Sequence, residues 1–247
     1  MRFINKHLFK ICSLCLLLST AGIVVRAQRY EDFTTRTPLE AGDVLVVGFM
    51  GGRESWDNHQ RGVRKLALKL RAMNLPGVHI ETVENKNRRR AMQLIQNAFD
   101  RDNNGWLDDQ ERASTRVIVY GQSFGGAAVV KLARQLNKIG VPVLLTVQVD
   151  SIGRGDKVIP PNVSLAANLF QRDGLIKGER EIRPKDPNRT TIIGNFKFDY
   201  SGKKIDLSDV SWLKRIFQTA HTKMDHDPEV WAFVENCILN VIAAVQR

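Results

Sequence analysis

Two kinds of apolar pattern divide this chain. Residues 11–25 form an uninterrupted uncharged run, whereas from residue 43 onward short β-branched runs alternate with stretches whose apolar positions recur every three or four residues. The short runs predict strands at 44–49, 78–83, 116–120 and 141–149, with weaker ones at 166–170 and 191–198. The 3.6-residue pattern predicts helices at 58–73, 87–99, 125–138 and 228–245. Asp227 stands where an N-cap belongs and Pro228 at the first helical position, a favourable start for the last of them. Strands alternating with helices predict an α/β fold: a mostly parallel sheet with helices on both faces. Residues 151–223 break the pattern with polar, Pro- and Gly-containing segments and predict long loops over one face, which after strand C-termini shape the binding site and decide substrate choice.

The leading run is preceded by Arg2, Lys6 and Lys10 and followed by Val25-Arg26-Ala27, the small-residue spacing of a cleavage site. Fifteen residues fall short of the roughly 20 needed to span a bilayer. Residues 1–27 therefore read as a secretory signal peptide, and residues 28–247 as one secreted or periplasmic domain; a membrane enters only if that segment is left uncleaved. Cleavage removes four cations and no acid, lowering the formal charge from +11 to +7. It also removes Cys12 and Cys15, so Cys237 has no partner and the core must stabilise the fold without a disulfide. The basic balance does not imply nucleic acid: the cationic run Arg88-Arg89-Arg90 opens a helical pattern and reads as its solvated face.

The strongest chemical signal lies at 116–138. A β-rich run is followed at once by Gly121-Gln122-Ser123-Phe124-Gly125 and then by a helical run, the strand, G-x-S-x-G and helix of a nucleophile elbow. The pentapeptide alone arises by chance in about 5–10% of chains this long, so its context carries the weight. The turn is so tight that residues two before and two after the serine must lack side chains. No Gly-Lys-Ser/Thr follows, which excludes a phosphate-binding P-loop. Such a serine needs a base and an orienting acid downstream. Asp150, closing the run 141–149, is the preferred acid; Asp173 competes, and either could be a loop carboxylate that caps a turn. His221 and His226 alone follow both acids, since His59 and His79 precede the serine. His221 is preferred because His226, between two aspartates at a helix start, reads as a solvated loop residue. The Phe124 N–H supplies one oxyanion donor, and Phe49 or Met50, before Gly51-Gly52, the second.

A separate motif, Asp100-Arg101-Asp102-Asn103-Asn104-Gly105-Trp106-Leu107-Asp108-Asp109-Gln110-Glu111, fits D-x-[DN]-x-[DN]-G-x5-E at every defined position. In that pattern Asp100, Asp102 and Asn104 offer side-chain oxygens, Trp106 a carbonyl, Asp108 a water-mediated contact and Glu111 a bidentate carboxylate to Ca2+. Barely one helical turn follows before the next strand, and no second such loop exists to pair with it. The expected calcium is structural, about 15–20 Å or more from Ser123 at the opposite sheet edge.

From about Val44 to Val245 the chain resembles a bacterial α/β-hydrolase of the lipase/thioesterase-like kind, the elbow being the most specific part. The resemblance implies a serine hydrolase with Ser123 as nucleophile, His221 as base and Asp150 as acid. It implies an acyl-serine intermediate, an acyl ester or thioester substrate of small-molecule or lipid-like kind, and no organic cofactor. Export favours carboxylic esters over coenzyme A thioesters. The chain departs from the pattern in having fewer strands before the elbow than the full eight-stranded fold, and Gly48-Phe49 where many relatives have His-Gly. A calcium-stabilised binding protein of the cell envelope, built on the same fold without catalysis, is the alternative.

Overall fold

The computed structural model describes residues 27–208 and 219–247; the expected signal segment lies outside these up to residue 26. The first half builds β1 (Val44–Met50), α1 (Gly62–Ala72), β2 (Val78–Glu84), α2 (Arg88–Phe99), the short α3 (Asp109–Ser114), β3 (Val117–Gln122) and α4 (Phe124–Lys138). The second half builds β4 (Val143–Val149), β5 (Val158–Ile159), β6 (Val163–Phe170), β7 (Arg183–Pro184), β8 (Thr191–Lys197), α5 (Ala220–Asp225) and α6 (Pro228–Val245). Six strands form one sheet in the order β2-β1-β3-β4-β6-β8, and β5 pairs with β7 beside it. Every one of these pairings is parallel.

A parallel sheet must be covered on both faces, which is why β1 is apolar throughout rather than at alternate positions, and β3 and β4 carry polar side chains only at Gln122, Thr146 and Gln148. In β1, Leu45, Val47 and Phe49 join α2 and α4 in one apolar cluster. Val44, Val46 and Met50, on the other parity, join α1 and α6 in a second. Each fully buried aliphatic side chain in these layers contributes about 1.5–3 kcal/mol. Between the central strands Tyr120 lies opposite Gly48, its ring occupying the place of a side chain there: a Cβ on Gly48 would sit 2.6 Å from it. The Tyr120 hydroxyl donates to the Val63 carbonyl at 2.9 Å, so its burial leaves no orphaned polar atom.

Most expected elements form within two or three residues of their predicted ends. The exception is the helix expected from residue 58, which begins at Gly62. Asn58 Oδ1 accepts the Gln60 N–H at 3.0 Å, and this local turn takes the place of the first helical bonds. The chain runs from β1 outward to β2, then crosses back to β3 on the other side of β1 and proceeds outward through β4, β6 and β8. At that reversal the segments leaving the carboxyl ends of β1 and β3 go to opposite faces, to α1 and α4 respectively. The crevice that opens there is where ligands of open parallel sheets bind.

Candidate active site

Ser123 occupies that crevice, between the end of β3 and the start of α4, with φ 59° and ψ −125°. A non-glycine residue in the left-handed region is held there by its surroundings. Its N–H donates to the Val149 carbonyl at 2.9 Å, and its own carbonyl accepts from Gly126 N at 3.0 Å and Ile152 N at 3.2 Å. The flanking glycines have a steric cause, one within the turn and one in the neighbouring strand β1. A Cβ on Gly121 would lie 2.6 Å from the Gly125 carbonyl, and one on Gly125 only 2.1 Å from the Phe49 carbonyl oxygen.

Two side chains from distant segments meet the serine. His221, on the first turn of α5, places Nε2 2.9 Å from Ser123 Oγ, and its Nδ1 lies 2.6 Å from Asp150 Oδ2. Thr219 caps α5 by accepting the Thr222 N–H, which fixes the turn that carries the imidazole. Asp150 follows the last residue of β4, with φ 42°, and its carboxylate is fully buried. Such a charge must be hydrogen-bonded: Gly178 N donates to Oδ1 at 2.9 Å and Gln171 Nε2 to Oδ2 at 2.8 Å. A carboxylate only accepts, so Nδ1 of His221 carries the proton and Nε2 presents its lone pair to Ser123.

Of the rival residues, Asp173 is turned elsewhere and accepts the Tyr200 N–H at 2.7 Å. The Tyr200 hydroxyl in turn donates to Asp227 at 2.8 Å; burial, together with that carboxylate, holds its pKa well above the ordinary phenol range and keeps it a donor. His226 is not the solvated loop residue expected: its side chain is 2% exposed and lies 3.7 Å from Asp225. The turn between α5 and α6 folds it inward, where Asp227 begins the next helix by accepting the Glu229 N–H.

Of the expected oxyanion donors, Phe124 stands beside the serine, whereas N–H groups alternate along β1, Val44 donating toward β2 and Leu45 toward β3, which turns the Met50 N–H to β2 and that of Phe49 to β3. Phe124 is the first residue of α4, where helix geometry leaves the N–H with no intrahelical acceptor. Phe49 pairs with Val83 on one side and Gly121 on the other, whereas the ladder toward β3 stops there and Met50 pairs with Glu84 alone. The backbone next to Met50 turns beneath the serine: a Cβ on Gly51 would lie 3.2 Å from Ser123 Cβ. Asn85 holds this turn through Nδ2, which donates to the carbonyls of Met50 at 3.1 Å and Gly52 at 2.5 Å. Gln122, beside the nucleophile, brings Nε2 to 3.4 Å from His221 Nε2. Gln171, Gly178, Asn85 and Gln122 have no sequence signature of their own, because each acts through a partner far along the chain.

Beyond the other end of β3, carboxylate oxygens of Asp100, Asp102 and Glu111 lie within 4.8 Å of one another, a spacing that could hold a metal ion. The loop folds around them. Asp100 accepts the Gly105 N–H at 2.8 Å, Glu111 accepts the Arg101 N–H at 2.7 Å, and Asp108 caps α3 by accepting the Glu111 N–H. Asn104 donates from its amide to Asp102 at 2.7 Å, and Trp106 is 66% exposed.

Compared with models of known protein families and with curated proteins, the chain matches none of them.

Proposed function

We propose that the protein is a serine hydrolase of reduced α/β-hydrolase architecture that cleaves carboxylic esters through an acyl-serine intermediate. The observation that carries this reading is the continuous relay Ser123 Oγ, His221 Nε2, His221 Nδ1, Asp150 Oδ2, with links of 2.9 and 2.6 Å. The nucleophile follows a strand in the middle of a parallel sheet, and the three residues come in the chain order of that fold. In the reaction His221 takes the hydroxyl proton as Ser123 attacks the ester carbonyl, and the buried Asp150 stabilises the imidazolium that forms. The Phe124 N–H bears the oxyanion together with an N–H of the turn that follows Met50, since those of Phe49 and Met50 are directed into the strand ladders. His221 then protonates the departing alcohol, and water, activated by the same imidazole, releases the acid.

Apolar surface at the rim supports an acyl or lipid-like substrate. Phe124, beside the nucleophile, is 51% exposed, and the loop from Gln171 to Gly178 that wraps Asp150 presents Leu175, 98% exposed, at its tip. Export as a secreted or periplasmic enzyme, after cleavage near Ala27, keeps the preference for esters over coenzyme A thioesters. The acidic loop suits Ca2+ by chemistry: Asp100, Asp102, Asn104, Asp108 and Glu111 are hard oxygen donors, with the Trp106 carbonyl between them. We propose that this ion is structural, about one strand length from the serine.

Steady-state hydrolysis of a short p-nitrophenyl ester tests the reading. The account expects turnover that Ser123→Ala and His221→Ala each reduce roughly 10^4-fold or more. A well-folded wild-type protein without turnover would favour the non-catalytic binding protein instead.

A further inference from the structure

We infer that Arg61 is a positioning residue that holds the oxyanion turn and the histidine helix in register; the inference rests on the hydrolase reading above. The catalytic relay links Ser123, His221 and Asp150, but none of its hydrogen bonds reaches the turn after β1 that begins at Gly51. That segment and α5 are joined through one guanidinium. Arg61, the residue that caps the start of α1, donates from Nη2 to Glu54 Oε1 and from Nη1 to Asp225 Oδ2 at 2.9 Å.

Both partners belong to catalytic segments. Glu54 lies three residues after Gly51 and donates its N–H to the Gly51 carbonyl at 3.2 Å, closing the turn beneath the nucleophile. Its other carboxylate oxygen accepts from Asn58 Nδ2 at 2.7 Å. Asp225 is the last residue of α5, four beyond His221, so the two side chains share one helix face. The Asp225 side chain is 4% exposed and that of Glu54 16%. These carboxylates are shielded enough for a guanidinium that bridges them to impose geometry rather than merely screen charge.

The surroundings leave this clamp little slack. Trp231, on α6, donates from Nε1 to the Asp225 carbonyl at 2.7 Å. A Cβ on Gly62, next to Arg61, would lie 2.0 Å from the same Nε1. The start of α1 is thus pressed onto the residue that braces the end of α5. A shift of either segment moves the turn at Gly51 relative to His221, and misplacement on the ångström scale lowers the rate of an oriented reaction by about 100-fold without weakening binding in proportion.

The test is ester turnover by the mature chain, with the thermal midpoint recorded for every variant. Arg61→Ala is expected to lower kcat about 10- to 100-fold while KM stays within about twofold. Arg61→Lys, which can reach one carboxylate at a time, is expected between the two. Glu54→Gln and Asp225→Asn should each reproduce part of the loss, and their combination should fall no further than Arg61→Ala, because all act through one link. Lys69→Ala breaks the Lys69–Glu235 contact between α1 and α6 and should keep the wild-type kcat. Wild-type kcat in folded Arg61→Ala or Arg61→Lys overturns the inference while leaving the hydrolase reading intact. A loss of kcat that Lys69→Ala shares at equal loss of thermal midpoint also overturns it, since stability alone would then account for both. A wild-type protein that turns over no ester removes the hydrolase reading and the inference with it.

Discussion

Asp150 and Asp173 differ in what faces them, not in what they are. Both follow apolar runs and both precede His221 in the chain, so the residues alone leave the acid open. Asp150 receives the histidine because its strand lies next to β3, while the carboxylate of Asp173 is taken by the Tyr200 N–H. Asp150→Asn is expected to lower kcat about 10^4-fold, because an amide at that place can turn its NH2 toward Nδ1 and favour the wrong imidazole tautomer. Asp173→Asn should leave kcat within about twofold of wild type. Steady-state ester hydrolysis by the two variants checks both statements, and equal losses would contradict the assignment of the acid. Gln171 has no sequence signature for the same reason: its amide reaches the site through the bond to Asp150 across 21 positions of chain.

At the level of elements, the elbow was the most legible part, because its constraint is local. A strand, a turn with no room for side chains and a helix start all lie within about twenty residues, and the glycines are dictated by backbone contacts. Gly125→Ala would drive a methyl group to 2.1 Å from the Phe49 carbonyl oxygen. The expected outcome is a loss of about 3 kcal/mol, read as a thermal midpoint lower by roughly 10 °C, with turnover lost as the serine is displaced. An unchanged midpoint would mean that β1 and α4 are not packed as described. The short helix α5 was not legible: six residues give no 3.6-residue periodicity to read, and its position depends on Thr219, Arg61 and Trp231 rather than on its own sequence. The two-residue strands β5 and β7 escaped notice for the same reason of length.

At the scale of the whole molecule, the sequence carried the α/β class because strands buried on both faces are mostly apolar runs, and helices between them repeat at 3.6 residues. It could not carry the sheet order, which depends on pairings between segments tens of residues apart, and it is this order that brings Ser123 to the reversal between β1 and β3. The acidic loop lies past the other end of β3, so calcium and catalysis should separate. With Ca2+ near 1,000 times its dissociation constant, the thermal midpoint is expected to exceed that in chelator by about 8–16 °C. Asp100→Asn should abolish the difference, while kcat at 25 °C changes little. Differential scanning calorimetry with and without chelator checks this, and a midpoint indifferent to Ca2+ in the unmutated protein would leave the loop as an acidic turn. The central claim concerns one oxygen atom, Oγ of Ser123, and is tested most directly by intact-mass analysis after treatment with a fluorophosphonate. The account predicts a single phosphonyl adduct, mapped by peptide digestion to Ser123, absent from Ser123→Ala and formed far more slowly in His221→Ala. A folded protein that takes up no adduct, or one that carries it on another residue, would contradict it.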